Sequence, residues 1–437
     1  MKRGKQKRWL RILSCLALCV LCAALLCFAG CQPAQESGGD GTGGNTEPPS
    51  EEEETLPASG GYVNIRDYGA DGTTRADCYA AFVQAALTGK SIYVPAGTYY
   101  VSGPIQLRNQ NLYGDGMFQS FIVSTASDSS VPILYLGRSC GVEDINLSFD
   151  ESLITGNETS GERPGIITGD NYNPGWPLQR GSQINRVHIA NTGTAIYSPM
   201  KGVEESTSFS VAYTNLEIQD FSFRGIDFVS KTRTGNVFSN IYMKSKHTVD
   251  SLFNMAGEES ETTIIQLNLE HTKVRRAALS LDGCRALALS TLHIEGIELV
   301  EDDSCYIYLE NSSGRMDAVS VYYTAVDAAD CSLIKIGDAV YDINESWQSS
   351  PPATLSKMNI GTLHLKGIHD PNTGLHGTRP QPGLNNLDNF LFVKRESNAL
   401  GSYRVKIENY VYYTFQSDAA KYVAFATGGE VDVVFED

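Results

Sequence analysis

The sequence predicts an all-β parallel solenoid, and three observations carry that expectation. Glycine at 41 residues and tyrosine at 22, against three tryptophans, make a turn-rich composition that favours strands over helical bundles. Apolar pairs in an x-h-x-h pattern recur at Val187/Ile189, Leu216/Ile218, Ile241/Met243, Leu267/Leu269, Leu292/Ile294 and Val319/Val321, at steps of 29, 25, 26, 25 and 27 residues. A second column advances with the first at Ile196, Ile226/Phe228, Leu252, Leu279/Leu281, Ile307/Leu309 and Ile334/Ile336, so one unit with several strands per turn is repeating. Weaker pairs at Leu363/Leu365 and Val405/Ile407 continue the series after longer steps of 44 and 42 residues, which leave room for inserted loops. The steps are too variable, and too poor in helical pattern, for leucine-rich or helical repeats.

The chain begins differently. Lys2, Arg3, Lys5, Lys7, Arg8 and Arg11 precede an almost wholly apolar run from Ile12 to Gly30, the layout of a secretory signal. That run ends in Phe28-Ala29-Gly30-Cys31, which resembles the lipobox of bacterial lipoproteins, with Phe28 where leucine is usual. The resemblance implies a signal peptide and lipobox over residues 1–31, acylation of Cys31, and a domain held outside the cytoplasm on the membrane or cell surface. The competing expectation is an uncleaved membrane anchor. Removal of residues 1–30 takes the formal charge from −17 to −23. Residues 32–60 hold Glu36, Asp40, Glu47 and Glu51 to Glu54 among Gly, Pro, Ser and Thr, and read as a solvated acidic tether. A surface this acidic disfavours nucleic acid as a partner. Cys78, Cys140, Cys284, Cys305 and Cys331 are scattered without C-x-x-C spacing, so buried free thiols are expected rather than disulfides or zinc ligands.

The remaining domain, residues 61–437, opens with a strand and tight turn at Tyr62 to Gly72. Asp77 then stands as an N-cap before the helical stretch Tyr79, Phe82, Val83, Ala86 and Leu87. Short strands follow at Ser91 to Val94, Thr98 to Val101 and Asn111 to Tyr113, the last ending in Gly114-Asp115-Gly116. The order D-Y-G-A, D-G-T, short helix, I-Y-V-P-A-G-T-Y and N-L-Y-G-D-G, over Tyr62 to Gly116, resembles the N-terminal segment of the pectate-lyase-like superfamily, which includes polygalacturonase-like enzymes. The resemblance implies a single-stranded right-handed parallel β-helix whose N-terminal helix caps the open end of the stack. It implies the reaction weakly, because a cap is structural. Asn-Thr-Asp and Gly-His-Gly of the polygalacturonase set are missing, Arg404-Val405-Lys406 stands alone, and the Asp-rich calcium sets and the D-P-H-E tetrad of related enzymes are absent.

Adjacent coils of such a stack lie ~4.8 Å apart, so equivalent positions form columns. Aligning the first strands places Glu217, Tyr242, Asn268, His293, Ser320 and His364 in one outward column and Gln219, Lys244, Glu270, Glu295 and Tyr322 in the next. Glu270 and Glu295, with His293 beside them, are the candidate catalytic groups. Two carboxylates one coil apart approach the ~5 to 5.5 Å of retaining glycosidases, and their like charge favours keeping one of them protonated as an acid. Proton abstraction by a carboxylate or imidazole, as in lyases and epimerases, is the alternative use. Against both stands a solvated ladder with a Lys244–Glu270 ion pair.

Lys244, Lys273, Arg275, Tyr242 and Tyr322 are the candidate substrate-binding residues. The cations belong to a basic series with Lys231, Arg233, Lys246, His247 and Arg276 that suits uronate carboxylates or sulfates. Tyr172, Trp176, Tyr323 and Trp347 add loop aromatics. No cofactor is expected; Glu301-Asp302-Asp303 is a weak candidate for calcium and reads first as a solvated turn. The function expected is a surface-anchored glycoside hydrolase or polysaccharide lyase, with a noncatalytic glycan-binding or adhesive protein as the alternative.

Overall fold

The computed structural model describes residues 61–168, 178–199, 207–229, 232–256, 258–310, 312–322, 324–328, 331–337, 356–366, 391–395, 403–415, 423–428 and 431–435. Period-two alternation with β-branched and aromatic residues makes almost all of these strands. The first sheet runs through Tyr62–Asn64, Ser91–Val94, Asn111–Gly114, Gly141–Phe149, Gln183–Ser198, Ala212–Phe228, Val237–Lys244, Thr263–Glu270, Leu287–Glu295, Gly314–Tyr322, Ser356–Lys366 and Tyr403–Phe415, each parallel to the next. A second series uses Pro164–Thr168, the ends of Gln183–Ser198 and Ala212–Phe228, then Thr248–Met255, Lys273–Asp282, Cys305–Glu310, Ser332–Ile336 and Leu391–Arg395. A short third sheet, Leu178–Arg180, Thr207–Phe209, Thr232–Thr234, Glu258–Ser260 and Cys284–Arg285, closes the coils and was not expected from the sequence. The domain is a right-handed parallel β-helix.

The apolar columns are the core. Val187, Leu216, Ile241, Leu267, Leu292 and Val319 are register partners, all essentially inaccessible to solvent, and Ile189 to Val321 repeat this two residues on. In the second column the expected alignment is corrected at one point. Ile226 pairs with Phe253 rather than Leu252, although both Leu252 and Phe253 are buried in the core. A corner in the first sheet runs through Asp144, Arg186, Asn215 and Asn240, whose φ values of 54°, 52°, 53° and 55° lie in the left-handed region that Asn and Asp tolerate best. Their polar side chains stack up the corner, Arg186 Nε donating to Asp144 at 2.6 Å and Asn240 Nδ2 to Asn215 Oδ1 at 2.9 Å.

Both ends of the described stack are managed. The helix Tyr79–Ala86 buries Ala81, Phe82 and Ala85 against the first coils. Its N-cap is Cys78 rather than Asp77; the Asp77 carboxylate nevertheless accepts the Tyr79 N–H at 3.0 Å and the Ser102 hydroxyl at 2.6 Å, tying the cap to the first coil. At the other end Tyr403–Phe415 pairs antiparallel with Val423–Gly428 and Val431–Phe435, so the last parallel rung does not present a bare edge. All five cysteines of the domain are buried thiols outside any disulfide, as expected. Among the described residues no helix is long and apolar enough to cross a membrane. Cys31 and the tether lie outside the described residues.

Candidate functional site

The first sheet places its outward side chains in the columns that the repeat predicts. His188 pairs with Glu217, Glu217 with Tyr242, Tyr242 with Asn268, Asn268 with His293, His293 with Ser320 and Ser320 with His364. Two residues on, Gln219, Lys244, Glu270, Glu295 and Tyr322 follow one another. Glu270 and Glu295 are thus direct register partners.

Three side chains converge there. One ligand-type atom from each of Glu270, His293 and Glu295 lies within 4.8 Å of the other two, a spacing a cation could also bridge. His293 Nε2 and Glu295 Oε2 are 2.9 Å apart, which fixes the imidazole against that carboxylate. The three side chains are 20%, 23% and 32% exposed for Glu270, His293 and Glu295, so a ligand can reach them while they stay partly shielded from water. Tyr322 packs edge-on against the His293 ring at 5.4 Å. Burial, reinforced by the neighbouring Glu270 carboxylate, pushes the Tyr242 hydroxyl up to about 12, so it is a hydrogen-bond donor throughout the neutral range. The Lys244 ammonium lies 5.8 Å from the Tyr242 ring centre. No ion pair joins Lys244 to Glu270 among the described residues.

The turn that follows these carboxylates separates two sheets. His271 has φ 43° and Gly296 φ 64°, left-handed backbone that favours glycine, and a Cβ on Gly296 would sit 2.4 Å from His271 Nδ1 and displace that ring. Beyond it Lys273 and Arg275 stand on the second sheet. Lys273 Nζ is 3.0 Å from Glu298, and Arg275 Nη1 donates to the Thr248 carbonyl at 3.0 Å. The structure therefore gathers Glu270, His293, Glu295, Tyr242, Lys244 and Tyr322 on one face and leaves Lys273 and Arg275 around the corner from it. Lys246 is bound to Glu151 at 2.5 Å, and Arg276 stacks on Tyr308 at 4.8 Å. Lys335 Nζ is 2.7 Å from Asp303 Oδ2, so one carboxylate of the possible calcium turn already has a cation. Lys231, Tyr172, Trp176, Tyr323 and Trp347 lie outside the described residues.

The outward column extends one coil further towards the N-terminus than the sequence pattern from Glu217 onward indicates. His188 continues it, with Asn146 one coil earlier; the two side chains hydrogen-bond through His188 Nδ1. The apolar pair Val187/Ile189 flanks His188 and was the available signal. Burial holds the His188 imidazole below its ordinary pKa, against the opposite pull of Glu217 and Asp220. A second polar network, unforeseen, fastens the loop of residues 150–163. Glu158, 6% exposed, accepts from the Ser222 hydroxyl at 2.5 Å and from the backbone of Thr155 and Gly156 at 2.6 and 3.0 Å. Burial alone would raise its pKa, but these hydrogen bonds outweigh that and hold it low.

These features define a parallel β-helix with a carboxylate–imidazole cluster on one long face. Residues 62–274 match the family model described as rhamnogalacturonase A/epimerase, pectate lyase-like. The match stops short of His293 and Glu295. Among solved structures, the chain is similar to the A-module of mannuronan C-5 epimerase AlgE6 of Azotobacter vinelandii, at 17% identity and TM-score 0.42, over 77% of this chain and 94% of that one. It is also similar to the Streptococcus pneumoniae surface protein and adhesin PfbA, at 9% identity and TM-score 0.38, over 80% and 100%. A third is the catalytic unit of an α-1,3-glucanase of Streptomyces thermodiastaticus, at 14% identity and TM-score 0.28, over 84% and 71%. No curated protein matches the sequence.

Proposed function

We propose that this domain binds a polysaccharide along the outward face of its first sheet and cleaves it at Glu270, His293 and Glu295. The observation that carries the reading is the register pairing of Glu270 with Glu295, with His293 hydrogen-bonded to one of them and all three within 4.8 Å. In hydrolysis one carboxyl protonates the glycosidic oxygen while the other, ionised, attacks the anomeric carbon or activates water. In a lyase the ionised partner removes the proton beside a uronate carboxyl, and a neighbouring acid protonates the departing oxygen. His293 orients Glu295 in either case, Tyr242 supplies a proton donor beside Glu270, and Lys244 offers positive charge for a uronate carboxylate. Calcium, were it used, would have the carboxylates of Glu270 and Glu295 or of the Glu301 to Asp303 turn as donors, and no step above depends on it.

The test is the purified protein against a panel of galacturonan, rhamnogalacturonan, mannuronan and α-1,3-glucan, reading new reducing ends together with the ultraviolet absorbance of unsaturated products. Reducing ends without absorbance identify a hydrolase, and both signals identify a lyase. Binding without either signal replaces the reading with an adhesive or glycan-binding function. We further propose that acylated Cys31 and the acidic tether hold the domain outside the cytoplasm, on the membrane or cell surface.

A further inference from the structure

Phe118 is 58% exposed, and a singly exposed hydrophobic residue is ordinary. Its position is what sets it apart. It stands in the turn between the strands Asn111–Gly114 and Ser120–Ser124, and its ring centre lies 5.4 Å from that of His188, tilted by 44°. The other large exposed hydrophobics among the described residues, Tyr62, Val83, Leu87 and Ile265, do not belong to the outward column that His188 shares with Glu217, Tyr242, Asn268 and His293. His188 is itself pinned by Asn146, and burial disfavours its charged form, so the pair offers a fixed aromatic surface towards one end of a polar face.

We propose that Phe118 and His188 form a distal aromatic subsite that stacks on a sugar ring of the same polysaccharide chain whose reacting bond lies at Glu270 and Glu295. The inference rests on the reading of that face as the polysaccharide site. From His188 to His293 is four coil steps, roughly 19 Å at ~4.8 Å each, a distance a disaccharide does not span and a longer oligosaccharide does. An aromatic face suits the apolar C–H face of a pyranose, and the intervening Glu217, Gln219, Tyr242 and Asn268 supply partners for its hydroxyls. The protein is therefore a reader of chains rather than of short fragments, with Phe118 setting the length it prefers.

Binding of a disaccharide and an octasaccharide from each of the galacturonan, mannuronan and α-1,3-glucan series, measured calorimetrically on the full chain and on Phe118→Ala, tests this. In the series that the protein binds, the substitution is expected to weaken the octasaccharide roughly three- to tenfold and to leave the disaccharide as it was. An equal change at both lengths, or no change at either, overturns the subsite. Unaltered octasaccharide turnover in Glu270→Gln, with the Phe118 effect intact, removes the catalytic reading and keeps the subsite. Failure of the unaltered protein to bind any member of the panel overturns both.

Discussion

At the scale of single residues the proposed chemistry depends on three side chains that could all be replaced without touching the core. Glu270→Gln and Glu295→Gln exchange partly exposed carboxylates for amides of the same shape. Each should leave the melting temperature close to that of the parent and lower turnover at least ~100-fold on whatever polysaccharide proves to be cleaved. Full activity in both variants would move the reaction elsewhere.

His188 carries a separate, pH-linked expectation. Its folded-state pKa is lowered by burial, whereas the unfolded chain titrates near ~6.5. As the pH falls through that value the unfolded state takes up a proton that the folded state resists, so stability declines on acidification and His188 contributes nothing to the slope well above it. Urea midpoints of the parent should therefore fall more steeply below about pH 7 than those of His188→Gln. Parallel curves would mean that another group sets the acid limb.

At the scale of elements, the coil is held by an inward column whose members touch the coils above and below. Leu267 is fully buried between Ile241 and Leu292. Leu267→Ala should cost about 2–5 kcal/mol by leaving a cavity, and Leu267→Asp should not yield a folded domain, because the carboxylate has no partner there. Soluble Leu267→Asp protein with the parent's melting curve would contradict the register.

The 150–163 loop is anchored differently, through Glu158 and the buried hydroxyl of Ser222. Removing the carboxylate leaves the Thr155 and Gly156 N–H groups without their acceptor and the Ser222 hydroxyl with only the Thr192 carbonyl, so Glu158→Ala is expected to cost roughly 1–3 kcal/mol and to open the loop to limited proteolysis. Unchanged cleavage would show that Lys246–Glu151 and Arg75–Asp150 suffice to hold it.

At the scale of the whole molecule, the prediction concerns where the domain resides. Cys31→Ser should release it into soluble fractions and abolish labelling by a fatty-acid analogue; label retained in that variant would end the lipid-anchor proposal. The domain that the anchor would carry is legible in the sequence to an unusual depth. Strand alternation fixes which residues face inward, and an apolar step of one coil fixes which residue lies above which, so the pairing of Glu270 with Glu295 is legible in the sequence. That logic is local. It fails by one residue at Leu252, where two successive side chains are both buried and alternation does not say which one pairs with Ile226, and it misses the third sheet, whose strands of two or three residues carry too little pattern to register. It also assigned Lys273 and Arg275 to the binding set, although the corner at His271 and Gly296 carries them onto the next sheet.

What the sequence by itself determined is the solenoid, its repeat and its columns, because backbone pairing in a parallel stack is dictated by periodic burial. What only the tertiary structure decided is which loops fold over which faces: Phe118 against His188, 70 positions on, and Glu158 against Ser222, 64 positions on. Such contacts depend on the directions in which corners release the chain, and no period in the sequence records those directions.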